Sequence, residues 1–252
     1  MSRLAARASW LTAAGLPVFT AAAVLMQERT RSLQGADTLF IESAVAIVAA
    51  PIYGVAVLTR RSRTTDLAPS GLLLERSSVS GASAAAWRLA AGAALFAITS
   101  AILALTVFGG RTELVAASHA TLWVATVTLT ALGAFFASAC ADPLDAAAAA
   151  VGTSVVMAAS VFVLGSAIAE APTGAIDIAL LASPIVSIAS AASLDIFRSD
   201  VLYRLSPIAH ISVNYPPWHA AFEWYALVAL ACFLATAVNL KKRRRTLPIE
   251  RN

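Results

Sequence analysis

The chain has 252 residues, of which 59% are apolar and only 13% charged, and its mean hydropathy is +0.78. A soluble domain carries roughly 25% charged residues, so this composition excludes an ordinary water-soluble globule and points to a bilayer as solvent. The net charge of +4 sits at the ends of apolar blocks, a placement that signals membrane topology and argues against a nucleic-acid partner.

Six apolar blocks of 18 to 23 residues follow one another, over residues 10–27, 39–59, 87–109, 118–140, 146–168 and 218–240. At about 1.5 Å per residue, a helix of that length crosses a hydrocarbon core of about 30 Å. The blocks and their connections use nearly the whole chain, leaving no room for a separate catalytic domain. The expected fold is all-α: one multi-pass transmembrane domain over residues 1–252. Arg3 and Arg7 before the first block resemble the start of a signal peptide. That block ends in Leu25-Met26-Gln27-Glu28-Arg29, a poor cleavage site, and is read as a retained span.

Basic residues orient the spans. With the amino terminus inside and six crossings, 13 of the 18 Lys and Arg residues fall on the inner side: Arg3, Arg7, Arg60, Arg61, Arg63, Arg76, Arg88, the run Lys241–Arg245, and Arg251. The positive-inside rule therefore places both termini in the cytoplasm of a cell-membrane protein. Trp10 and Trp87 then fall at inner ends, and Trp123, Trp218 and Trp224 near outer ends, where indole rings anchor at the headgroup level.

The connections differ in character. The largest cytoplasmic piece, residues 60–86, contains Leu72-Leu73-Leu74-Glu75-Arg76, which reads as a short amphipathic helix lying along the membrane. Asp142, Pro143 and Asp145 form a helix start, with Asp as cap and Pro at the first helical position, so the fourth and fifth blocks make a tight hairpin. The run Ala146–Ala150 and Gly152 should allow close helix approach. The outer stretch 169–217 is long enough for two short helices capping the bundle. Within it, Ile178–Leu194 is apolar but carries Pro184 and four serines. As a seventh span it would put Lys241–Arg245 outside, against the charge rule; as a re-entrant excursion it would not.

This plan resembles the membrane subunits of type-2 ABC transporters, the exporter-like permeases. The likeness rests on the coupling-loop pattern Ser70-Gly71-Leu72-Leu73-Leu74-Glu75-Arg76 before Trp87-Arg88, on Leu132–Ser138 before Asp142-Pro143-Leu144, and on Ser183-Pro184, Tyr203–Pro207 and Tyr215–Trp218 before the last span. The chain departs from the pattern in having only Asp66 where an acidic pair is usual, and no Lys opening the third span. The resemblance implies a separate ATP-binding subunit contacted through Leu72, Leu73, Leu74, Glu75 and Arg76, and a second permease copy or related permease. It also implies no cofactor and no catalytic residue on this chain, ATP being bound by the partner. A bundle with few charges within its spans suits a hydrophobic or amphipathic cargo, and the resemblance implies that it is exported.

The sequence also bears on catalysis. There is no GxxxxGK[ST] and no GxGxxG, so no recognisable nucleotide site. An intramembrane hydrolase is the alternative, as is a structural subunit of a membrane complex. His119, His210 and His219 fall on the outer side with serines nearby, but without GxSxG or HExxH they read as interface residues. Cys140 and Cys232 have no metal-binding spacing and read as small buried thiols. Glu42 and Glu223 lie near outer span ends. Glu42 is the deeper and is a candidate pathway residue, since a carboxylate within a span is a functional suspect. No metal site is expected.

Overall fold

The computed structural model describes residues 35–65, 112–163, 170, 173–195 and 214–246, with residues 91, 94, 95, 98, 101 and 102. Among them the fold is all-helical: α1 (Gly35–Thr65), α2 (Thr112–Ala139), α3 (Pro143–Val163), α4 (Thr173–Ala182), α5 (Pro184–Ala191) and α6 (Trp218–Thr246). Four of these, α1, α2, α3 and α6, are long and apolar enough to cross a membrane. The first apolar block and the Leu72–Arg76 segment lie outside the described residues. So does most of the third block, in which Ala91, Ala94, Leu95, Ile98, Ala101 and Ile102 are helical.

The helices outrun their apolar blocks. α1 continues through Arg60, Arg61 and Arg63, and α6 through the basic run to Thr246. Backbone hydrogen bonding does not stop at the polar boundary, because Lys and Arg are good helix formers. The start of α3 is as the sequence predicts. The backbone N–H of Leu144 donates to the Asp142 carboxylate at 2.6 Å, that of Ala146 to the Asp142 carbonyl at 3.1 Å, and Pro143 occupies the first helical position. Residues 140–142 alone connect α2 to α3, so the two are an antiparallel hairpin.

α2 is the hub. It packs on α1, α3, α5 and α6, and 67% of its most apolar window is buried, against 22% for α6. Its buried Thr121, Thr126, Thr128 and Thr130 would be costly in an apolar bundle, but each hydroxyl lies 2.6–2.9 Å from the carbonyl four residues back. A hydroxyl bonded to its own helix needs no partner elsewhere. Among the described residues two side-chain hydrogen bonds cross between α2 and α6: the Thr128 hydroxyl to the Tyr225 carbonyl at 2.7 Å, and the Asn239 amide to Ser138 Oγ at 3.1 Å.

These contacts fix helix directions. Residue 42 of α1 meets residue 119 of α2, and further along both helices residues 51 and 54 meet residues 130, 133 and 134, so α1 and α2 run parallel. Residues 128 and 138 of α2 meet 225 and 239 of α6, so α6 is parallel to both. The amino-terminal ends of all three therefore share one end of the bundle, and the basic carboxy-terminal runs of α1 and α6 share the other.

α1 and α2 touch backbone to backbone where Pro51 and Gly54 meet Thr130 and Gly133. A Cβ on Gly54 would fall 2.0 Å from the Thr130 carbonyl oxygen, and one on Gly133 2.0 Å from that of Pro51. Only glycine permits this approach. The expected close approach at Gly152 is not present: a Cβ there would meet nothing within 4 Å, and the small residues of α3 that are buried are Ala146, Ala150, Ser154 and Ala158. The alanine run does its packing on one face, and Gly152 lies off that face.

The ambiguous segment 178–194 is not one straight span. It falls on α4 and α5, two short helices bent by 89° at Ser183, with Pro184 opening the second. Ser183 ties the corner to α3 through its hydroxyl and the Ala158 carbonyl at 3.0 Å, and Ser190 reaches the Pro216 carbonyl at 2.7 Å. α5 ends in a Schellman turn: the N–H of Leu194 bonds the Ala189 carbonyl and that of Ser193 the Ser190 carbonyl, with Ser193 left-handed at φ 56°.

Candidate functional site

The same end of the bundle that carries the amino termini of α1, α2 and α6 holds its only described buried acid. Glu42 lies seven residues into α1 and His119 seven residues into α2, each about 10 Å below its helix start. Parallel packing brings them level. Glu42 Oε2 is 3.3 Å from His119 Nε2, with side-chain exposures of 0% and 4%. At that separation the two are paired, but they are not aligned as a hydrogen bond, and Glu42 Oε1 has no hydrogen-bond partner among the described residues.

The ring's other edge is better defined. His119 Nδ1 is 2.8 Å from the Val115 carbonyl oxygen and 3.2 Å from Ser118 Oγ. A carbonyl can only accept, so Nδ1 carries the ring proton and donates to Val115. Ser118 Oγ also lies 3.1 Å from that carbonyl and donates to it. The ring is thus fixed from behind by its own helix and presents Nε2 to Glu42.

Around the pair is a mixed apolar and aromatic shell. Leu39, Ala46, Leu122, Val124, Ala125, Ile188, Ala192 and Tyr225 form one buried cluster, with Trp123, Phe222 and Trp224 packed against it. The Trp123 and Phe222 rings lie 6.4 Å apart and tilted. Both Trp123 and Trp224 bury their indole N–H without an acceptor. Neither is the freely exposed anchor that the sequence suggests: both rings are partly buried and pack against this cluster. Trp218, which is exposed at the start of α6, keeps the position expected of an anchor. The Tyr225 hydroxyl donates to the Leu181 carbonyl at 2.9 Å and closes the floor against α4.

Of the residues singled out in the sequence, Glu42 is central here, buried between helices and out of contact with outer water. Glu223 is exposed, as is His219, whose ring stands edge-on to Trp218. Leu72, Leu73, Leu74, Glu75, Arg76 and His210 lie outside the described residues. His119 is the residue sequence reasoning undervalued. It is a core residue paired with an acid, where a surface role at the membrane interface was expected.

Ser118, His119 and Glu42 form a chain of contacts that invites comparison with a hydrolytic triad, but the hydrogen bonds run the wrong way. A general base must offer a lone pair to the serine hydroxyl. Nδ1 is occupied as a donor to Val115, and Ser118 is itself 1% exposed on a continuous helix whose backbone N–H groups are already bonded. Among the described residues, no group of three or more His, Cys, Asp or Glu side chains converges to hold a metal ion.

Comparison with protein families, with curated proteins and with solved structures finds no match. The functional reading therefore rests on the chain's own geometry and sequence.

Proposed function

We propose that this chain is the membrane-spanning permease subunit of an ATP-driven transporter of the type-2 ABC class, crossing the cell membrane six times with both termini in the cytoplasm. The observation that carries this reading is helix direction. Parallel helices must be separated by an odd number of crossings. α3 crosses once between α2 and α6, so the 89° pair α4–α5 returns to the side it left. That supports reading the pair as re-entrant, and re-entrant helices before the last span are a hallmark of the resembled permeases.

The same parity asks for an odd number of crossings between α1 and α2, which block 87–109 supplies; block 10–27 adds the first of six. Orientation follows from charge. Arg60, Arg61 and Arg63 at the end of α1 share one end of the bundle with the Lys241–Arg245 run of α6, and the positive-inside rule makes that end cytoplasmic. Loop 60–86 then faces the cytoplasm, where Leu72–Arg76 would dock an ATP-binding subunit and pass its closure to the spans as a rigid-body shift. The pathway would form with a second permease copy or a related permease, and Glu42 lies beside it on the outer side. The cargo class this suits is hydrophobic or amphipathic, moved outward.

The test is cross-linking in membranes. Cysteines placed at Glu75 or Arg76 should join the co-expressed ATP-binding subunit, and a cysteine at Arg243 should resist labelling by a membrane-impermeant reagent in intact cells. Cross-links formed only from the carboxy-terminal tail would remove the coupling assignment, and labelling of position 243 from outside would remove the six-span topology.

A further inference from the structure

The Glu42–His119 contact poses a chemical question that the fold does not answer. Nδ1 of His119 bears the ring proton, because it donates to the Val115 carbonyl at 2.8 Å. A neutral imidazole in that tautomer has a bare lone pair at Nε2. Glu42 Oε2 stands 3.3 Å away, and an ionised carboxylate is acceptor-only. Two acceptors facing each other in a buried site repel, and the carboxylate would be a buried, uncompensated charge. One proton removes both problems. Whether it sits on Glu42 or on Nε2, it lies between the two, and the pair is neutral overall.

We propose that Glu42 and His119 are a proton-binding site within the bundle, holding one proton between them, and that this proton latches the amino-terminal ends of α1 and α2 together. The inference stands independently of the transporter assignment. The two helices are pinned at Gly54 and Gly133, 12 residues from Glu42 and 14 from His119. At about 1.5 Å per residue the latch is roughly 20 Å from this pivot. A change at the latch is therefore converted into separation of the helix ends, with the glycine contact as fulcrum. Losing the proton leaves a carboxylate against a lone pair; gaining a second leaves a buried net positive charge. Both states loosen the latch.

Among the side chains the structure describes, no other charged group is buried at this position. On α2, Glu113 is exposed; on α6, His219 and Glu223 are exposed, and the buried Tyr225 spends its hydroxyl on the Leu181 carbonyl. α5 brings only serines, with Asp195 beyond it exposed, and the acids at the start of α3 lie at the opposite end of the bundle. The uncommitted polar atoms in this region are Glu42 Oε1 and the indole N–H groups of Trp123 and Trp224. The carboxylate thus has capacity to change its bonding as the proton comes and goes.

The experiment uses the full chain in lipid, with His210 and His219 replaced by Gln so that His119 is the sole histidine. Nitrogen-15 spectra of its ring and infrared spectra of the carboxyl C=O are read at neutral pH. The expected result is a proton at Nδ1 together with either an imidazolium signal or a protonated-carboxyl band, and loss of that second proton's signature in Glu42→Gln. A ring protonated at Nε2 alone, or the absence of both an imidazolium and a carboxyl band sensitive to Glu42→Gln, would overturn the proposal. Spin labels at the exposed Phe40 and Ala116 test the latch. Their separation should broaden as pH is raised in the protein with Glu42 and stay unchanged in Glu42→Gln; equal pH response in both, or none in either, would overturn the mechanical part. The wild-type spectra need no variant at position 42 to fold, so failure of Glu42→Gln to assemble still leaves the ring tautomer and the carboxyl band as a decision.

Discussion

α1 and α2 are joined at two places by opposite chemistries. At the Gly54–Gly133 crossing the side chains are absent and the backbones touch; at Glu42–His119 two ionisable side chains meet across a dry gap. The first contact tolerates no change in volume and is indifferent to charge. The second tolerates small changes of shape and responds to a single proton. A helix pair built this way has a rigid end and a conditional end, and the difference separates what holds the bundle together from what adjusts it.

The largest expected effect breaks the rigid end. Gly133→Leu puts a side chain where even a Cβ would overlap the Pro51 carbonyl, so the helices must part along their length. Folded protein should not be recovered from detergent by size-exclusion chromatography, whereas Gly152→Leu, facing open space, should be recovered normally. Recovery of Gly133→Leu at wild-type yield would show that the crossing is not a fulcrum.

Breaking the conditional end should cost less. Glu42→Ala leaves His119 beside a cavity with Nε2 stranded, and a buried polar group without its partner costs about 1–3 kcal/mol. Replacing both, as Glu42→Ala with His119→Ala, should cost less than the sum of the single changes, since neither partner is then stranded. Thermal unfolding in detergent measures both. Additive losses would mean that the two residues do not interact.

The smallest effect sharpens the comparison by testing a contact away from both. Thr128→Val removes a hydroxyl that bridges to the Tyr225 carbonyl but leaves α1 untouched. Hydrogen bonds between membrane helices average about 0.6 kcal/mol. A loss near that value, with no change in the pH response of the α1–α2 distance, is expected. A loss as large as that of Glu42→Ala would move the centre of the bundle's stability to the α2–α6 seam.

Much of this fold could be read from the chain. The four long described helices coincide with apolar blocks because a bilayer selects for length and composition, both of which are local. The α3 start at Asp142-Pro143 is equally local, being a cap and its proline. The site is less legible because it depends on helix register. Glu42 and His119 are far apart in sequence, and they meet only because α1 and α2 run parallel at one particular offset. One signal was present. Glu42 is the lone charged residue in block 39–59, and His119 the lone basic group in block 118–140, each close to the start of its block. Two solitary ionisable groups near matching ends of apolar helices are reason to suspect a pair. Trp123 and Trp224 misled for a related reason: an indole near a block's end suits a headgroup anchor and a packed seam equally well until the neighbouring helix is in place.

The hydroxyls of α2 carry a mechanical consequence. Thr121, Thr126 and Thr130 bond to their own helix, and among the described side-chain hydrogen bonds Thr128 and Ser138 reach across to α6. A hub whose polar groups are mostly self-contained is seated by shape and not by hydrogen bonds, so its place in the bundle is set where backbones interlock, at the Gly54–Gly133 crossing.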